Sequence, residues 1–224
     1  PVERKSGRTL VPATLAPQRT RRLREVTARR IEASTAAGGC VDDPVPPADA
    51  DGARSGADRV WALGDVAIDV PANTTVTTLL DLRGYRCAYT RLTASGGAGA
   101  RVEVAWAEVL HTDPANPDAT KGDRRQVDGK HFAGFADRFL LDGGARRRML
   151  TPHWQAGRYV RLTVVTAADP VRIDGLDLVL TGYPLRLRRR ERCDDVGTWA
   201  VLRLCRSTLR AGAHDLLTDS PYYE

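Results

Sequence analysis

The sequence predicts a mainly β fold, an antiparallel β-sandwich followed by an α-helix. Two observations carry this reading. Between Val60 and Tyr183, short β-branched or alternating segments recur with Gly, Pro and Asp turns between them. After Pro184 the apolar spacing changes from two residues to three or four. Several short strands with turn signals between them fit a sandwich.

The elements follow in order. Residues 1 to about 35 are rich in Pro, Thr and Arg. Within them QRTRRLREVTARRIEA (18–33) is open to two readings. Leu23, Val26 and Ile31 lie near one face of a basic helix, while the β-branched residues fit a strand as well. Residues 36–58 are packed with Gly, Pro, Asp and Ala and read as a linker. Thr75 to Leu80 is β-branched and bounded by Pro71-Ala72-Asn73 and Gly84, and Tyr85 to Thr93 reads as the next strand. Ser95-Gly96-Gly97 closes it, and Gly96-Gly97-Ala98-Gly99 reads as a hairpin turn. No Lys-Ser or Lys-Thr follows those glycines, which opposes a phosphate loop. Arg101 to Leu110 alternates, with Val102, Val104 and Trp106 on the inner face and Arg101, Glu103 and Ala105 on the outer. Phe135 to Leu141, Arg158 to Thr166 and Val171 to Leu180 supply further strands. Val160, Leu162 and Val164 of the second point inward. Asp194 or Asp195 caps a helix with Val196, Trp199, Leu202, Cys205 or Arg206, and Leu209 on its apolar stripe. That helix fades before Gly212 or runs to about Leu217, and Pro221 forbids more.

Composition narrows the function classes. The chain has 224 residues, of which 42% are hydrophobic, enough for one ordinary core plus attached pieces. No apolar run of about 18 residues predicts a membrane helix. No apolar h-region follows the charged N-terminus, so no signal peptide is visible. The compartment is left open, with the cytoplasm as the default. The start at Pro1 and the abrupt end at Glu224 are read as those of an internal piece of a longer chain. The net charge of +6 is carried almost wholly by Arg, since Lys5, Lys121 and Lys130 are the only lysines. The Arg residues are scattered, and outside the first thirty residues the dense runs at 146–148 and 186–192 come with no nucleic-acid-binding motif. A solvated Arg-rich surface is the expectation, with no nucleic-acid or membrane partner. The four cysteines, Cys40, Cys87, Cys193 and Cys205, form no CxxC pair and read as free, mostly buried thiols. No Asp loop with calcium-ligand spacing occurs, so no metal is expected.

Two groups of residues remain for chemistry. His111, His131, His153 and His214 are candidate bases or ligands, with structural roles as the default. No Gly-x-Ser-x-Gly elbow accompanies them. The closing stretch TDSPYYE places Asp219 and Glu224 five positions apart across a proline, with two tyrosines between. The carboxylates can accept hydrogen bonds from sugar hydroxyls, and tyrosine rings can cover a sugar's C–H face. Of the tryptophans, Trp106 and Trp199 fit core faces, which leaves Trp61 and Trp154 open as sugar platforms. The charged loop KGDRRQVDGKHF (121–132) is either a solvated connector or a segment reaching toward a site.

The stretches LLDLRGYRCAYTRLTASGGAGARVEVAWAEVLH, KGDRRQVDGKHFAGFADRFLLDGG, PHWQAGRYVRLTV, TGYPL and WAVLRLCRSTLRAGAHDLLTDSPYYE keep one order over residues 70–224. Together they resemble bacterial α-L-rhamnosidases of glycoside hydrolase family 78. The resemblance implies a β-sandwich leading into an (α/α)6 barrel, of which this chain holds an incomplete beginning. The implied division is a lead-in and linker over 1–59, a sandwich over 60–184, and a linker and first barrel helix over 185–224. It also implies inverting hydrolysis of terminal α-L-rhamnose, which needs a general acid and a general base. Asp219 and Glu224 match the family's sugar-holding D-x-P-x-x-E motif, and Ser220 stands where the family commonly has Cys. His214 and Asp215 are either supporting residues around the sugar or a plain helix-end pair. The family's general acid and general base match no position among these 224 residues, so no catalytic residue is assigned. The implied partner is a rhamnosyl glycoside bound by the complete protein, with no organic cofactor and with the sandwich packed on the barrel. The rival expectation is a stand-alone carbohydrate-binding sandwich without catalysis. A third is a structural domain with no ligand.

Overall fold

The computed structural model describes residues 12, 14–34, 59–62, 67–113, 115, 121–186 and 194–222. The 36–58 linker, Cys40, Cys193, most of the 186–192 Arg run, Tyr223 and Glu224 lie outside the described residues. Among the described residues there are ten strands and one helix: β1 (Arg19–Arg22), β2 (Glu25–Ser34), β3 (Arg59–Ala62), β4 (Ile68–Val70), β5 (Thr75–Gly96), β6 (Arg101–Ala107), β7 (Phe135–Leu140), β8 (Arg147–Leu150), β9 (Gln155–Val165), β10 (Val171–Gly182) and α1 (Val196–Gly212).

One long strand organises the fold. The first half of β5 pairs with β2 on one side and β9 on the other. Its second half pairs with β10 and β8. β9 passes the ladder on to β6, and β6 to β7, while β10 passes it on to β1 and β4. Every pairing is antiparallel. The sheet therefore curls through β5 into two layers. Between them lie Leu80, Leu92, Val102, Val104, Trp106, Val160, Leu162, Val164, Ile173 and Leu178. The mainly β, antiparallel sandwich with a following helix is thus observed.

The turning point of β5 sits where two separate strands were expected. Pairing with β9 shifts register between Asp81 and Arg86, and Arg83 adopts a left-handed φ of 58°. The chain bulges there and then resumes the ladder, so Gly84 interrupts no strand. Asp81 holds the bulge. Its carboxylate accepts from Arg158 at 2.9 and 2.8 Å and from the Arg83 backbone N–H at 2.8 Å. Both side chains are largely buried, and the carboxylate raises the Arg158 pKa against the opposing effect of burial.

The glycine turn at 96–99 is not a hairpin. β6 lies between β9 and β7 and does not pair with β5. The turn instead carries the chain from one layer to the other. Gly97 has φ 66°, and a Cβ there would meet Val171 Cγ2 at 2.1 Å, so only glycine fits.

The expected outer face of β6 is also covered. Glu103 and Ala105 are buried. Ala105, Ala107, Leu110, Val127, Phe132 and Tyr159 form a second apolar cluster with Leu79. The segment 121–132 is the cover: Val127, Lys130 and Phe132 are buried against the sheet, while residues 122–126, Asp128 and Gly129 stay exposed. Lys130, 2% exposed, donates from Nζ to the carbonyls of Lys121 (2.8 Å) and Asp123 (2.6 Å). Tyr159 Oη–H donates to the Arg124 carbonyl at 2.6 Å. Glu103 accepts from Arg138 at 2.8 Å and lies 3.9 Å from Arg161. A buried carboxylate needs such partners.

Residues 19–34, open to helix or strand in the sequence, are the strands β1 and β2, both paired into the sheet. α1 begins as expected. Asp195 is the cap, accepting from the Thr198 backbone N–H at 2.6 Å. The predicted stripe is largely uncovered: Val196 and Leu209 are exposed, Trp199 is 37% exposed rather than buried, and Leu202 is half-buried. Val201 and Leu204, which lie off that stripe, are exposed as well. No helix among the described residues is long and apolar enough to cross a membrane.

Candidate functional site

The described part of the site is the arm that follows α1. Gly212 lets the chain fold back on the helix end. Thr218 donates its backbone N–H to the Gly212 carbonyl at 2.8 Å, and a Cβ at Gly212 would meet the Thr218 carbonyl oxygen at 2.5 Å. Ala213 bridges Leu217, and His214 N–H donates to the Leu216 carbonyl at 3.0 Å. These bonds tie 212–218 into a compact loop.

The loop is fastened to the sandwich at three places. Tyr183 N–H donates to the Ala213 carbonyl at 2.7 Å. His214 lies flat on Trp154, with ring centroids 3.9 Å apart and planes 14° from parallel. Its Nδ1 is 3.4 Å from Gln18 Oε1, which also accepts from Thr181 Oγ1 at 2.6 Å. An amide oxygen only accepts, so this contact places the imidazole proton on Nδ1. Nε2 is then a bare acceptor, buried with no partner. Burial lowers the His214 pKa, against smaller raising effects from the Ala211 backbone and the Asp215 carboxylate. The ring is therefore held neutral at pH 7. Farther along, the Tyr222 ring packs on Phe135 at 5.1 Å, and its hydroxyl donates to the Trp106 carbonyl at 3.3 Å. Tyr222 braces the sandwich rim.

Asp215 and Asp219 are exposed on this arm, whereas His214 is buried beneath it. The structure thus brings His214, Asp215 and Asp219 into one short loop. Glu224 lies outside the described residues, so the spacing of the Asp219–Glu224 pair does too. Trp154 and Gln18 were not expected here. Gln18 is separated from His214 by 196 positions, and no local pattern announces such a meeting. Of the other histidines, His153 is exposed and lies 3.0 Å from Gln155 Nε2. His111 and His131 bridge each other through their backbones. Among the described residues no three His, Cys, Asp or Glu side chains gather as a metal site. Cys87 and Cys205 are free thiols, the first buried with its pKa pushed up to about 12 by burial, the second exposed.

No family model matches the chain, and no curated protein matches it. Solved structures do. The GH78 family rhamnosidase of Bacillus sp. GL1 is 22% identical, with a TM-score of 0.50, over 67% of this chain and 14% of that one. The rhamnosidase from Klebsiella oxytoca with rhamnose bound is 11% identical, with a TM-score of 0.56, over 92% of this chain and 38% of that one. This chain spans well under half the length of either, and it has the fold of a portion of these two rhamnosidases.

Proposed function

We propose that this chain is the sandwich and first catalytic-domain helix of an inverting α-L-rhamnosidase. The apolar side chains that α1 leaves exposed around its circumference are the observation that carries the reading. Val196, Trp199, Val201, Leu204 and Leu209 are 83, 37, 59, 66 and 45% exposed. That is close to three whole apolar side chains left in water, and covering them is worth roughly 4–9 kcal/mol at about 1.5–3 kcal/mol per side chain. A binding module has no need of such a helix. The first helix of a helical barrel does, because neighbouring helices cover apolar residues on several of its sides.

In this reading Asp219 and Glu224 hold rhamnose hydroxyls, and the arm between α1 and Pro221 sets where Asp219 stands. Asp215 and His214 shape that loop, with His214 wedged neutral against Trp154. The residues that protonate the leaving oxygen and activate water belong to the rest of the catalytic domain. Preorganised carboxylates in an enclosed site are what glycoside cleavage needs, so the 224 residues by themselves are proposed to be inactive. The sandwich supports the barrel's rim, and no organic cofactor takes part.

The test is to read the gene past Glu224 and express both lengths. The reading requires a Gly-Asp soon after Glu224 and then a long helical region. A stop codon at that point would favour a stand-alone carbohydrate-binding sandwich.

A further inference from the structure

The segment beyond β6 and the end of the 121–132 cover meet at a single antiparallel bridge. His111 N–H donates to the His131 carbonyl at 2.9 Å, and His131 N–H donates to the His111 carbonyl at 2.7 Å. Residues that exchange both bonds lie directly opposite, with side chains on the same side and Cβ atoms about 4.5–5.5 Å apart. Their neighbours Leu110 and Phe132 belong to the second apolar cluster. Alternation along each strand sends the two imidazoles to the other side together. The bridge is firmly held, because Lys130 beside it ties the cover down through two carbonyls.

Both rings carry an anomaly. Nδ1 of His111 and Nδ1 of His131 are buried with no hydrogen-bond partner. His111 is 8% exposed. Buried polar atoms are rarely left alone, and two from facing residues call for a shared partner, either a water or an ion. We infer that His111 and His131 form a cross-strand site for a late first-row transition-metal ion. Neutral imidazole suits Zn²⁺, Ni²⁺ and Cu²⁺ and is a poor match for Mg²⁺ or Ca²⁺. Since no third His, Cys, Asp or Glu gathers with them among the described residues, water completes the coordination. With two protein ligands the coordination is incomplete, so the ion is expected to exchange, unlike that of a closed four-ligand structural centre. It is independent of the proposed rhamnosidase reading.

Isothermal titration of the 224-residue chain with NiCl₂, thiols alkylated beforehand, tests the assignment. One ion is expected per chain, with MgCl₂ giving no heat of binding. His131→Asn and His111→Asn should each weaken Ni²⁺ by about tenfold or more, and His153→Asn, on an exposed histidine, should leave it unchanged. Should His111→Asn fail to fold, His131→Asn on the more accessible partner decides, together with paramagnetic broadening of the His111 and His131 ring proton signals in the unaltered chain. Unchanged Ni²⁺ affinity in His131→Asn, broadening confined to other histidines, or no binding at all would overturn the site and leave a shared water between the rings.

Discussion

Replacing Trp154 with alanine should release the arm without unfolding the sandwich. Trp154 sits just before β9 and is partly buried, and its main ring partner is His214. Truncating a fully buried aromatic costs about 3–5 kcal/mol, and the stack itself adds about 0.5–1.5 kcal/mol beyond area. For a half-covered Trp whose loss leaves the core intact, roughly 2 kcal/mol is expected to fall on the arm. Since 1.4 kcal/mol is about tenfold, the arm's opening constant should rise about 30-fold. Native-state hydrogen exchange reads this directly. The Thr218 amide, bonded to the Gly212 carbonyl, and the His214 amide, bonded to the Leu216 carbonyl, should exchange about 30-fold faster, while β9 amides keep their protection. Unchanged exchange at Thr218, or an equal loss throughout β9, would refute the idea that this stack fastens the arm.

Three further outcomes follow from the same structure. Acid should loosen the arm in the unaltered chain. His214 titrates below its ordinary 6.5 when folded, so the open form binds the extra proton; the arm's full hold is present above about 6.5 and is lost as pH falls toward the folded value. Trp fluorescence and Thr218 exchange between pH 7.5 and 5 report it, and His214→Gln should abolish the pH response. Asp81→Ala leaves the Arg158 guanidinium unpaired in a largely buried place and should cost about 2–4 kcal/mol by denaturant titration; Arg158→Met in the same chain should recover part of that loss. At pH 8 a water-soluble alkylating agent should label exposed Cys205 and spare Cys87, whose thiol is buried and pushed up to about 12; peptide mass mapping reads the difference, and guanidinium should remove it.

Local periodicity was enough for the regular pieces. Val102, Val104 and Trp106, and Val160, Leu162 and Val164, alternate in the sequence and face the core in the structure. Asp195 and the three-to-four spacing after it placed α1. What escaped was set by distant partners. β1 and β2 look ambiguous because their partners in β10 and β5 lie far along the chain. β5 reads as two strands because nothing local says that Asp81 will be gripped by Arg158, 77 positions away. The outer face of β6 looks polar because Glu103 is charged, yet Arg138 and the 121–132 cover make its burial tolerable. The arm shows the same division. Asp219 and His214 stood out by residue type, whereas Trp154 and Gln18 meet His214 only after folding.

The most direct test of the central claim is turnover of an aryl α-L-rhamnoside by two purified proteins: these 224 residues, and the longer product read through Glu224 into the following helices. The account predicts no release above buffer from the first, and release with inverted anomeric configuration from the second. Turnover by the 224 residues alone, or a folded longer product with none, would contradict it.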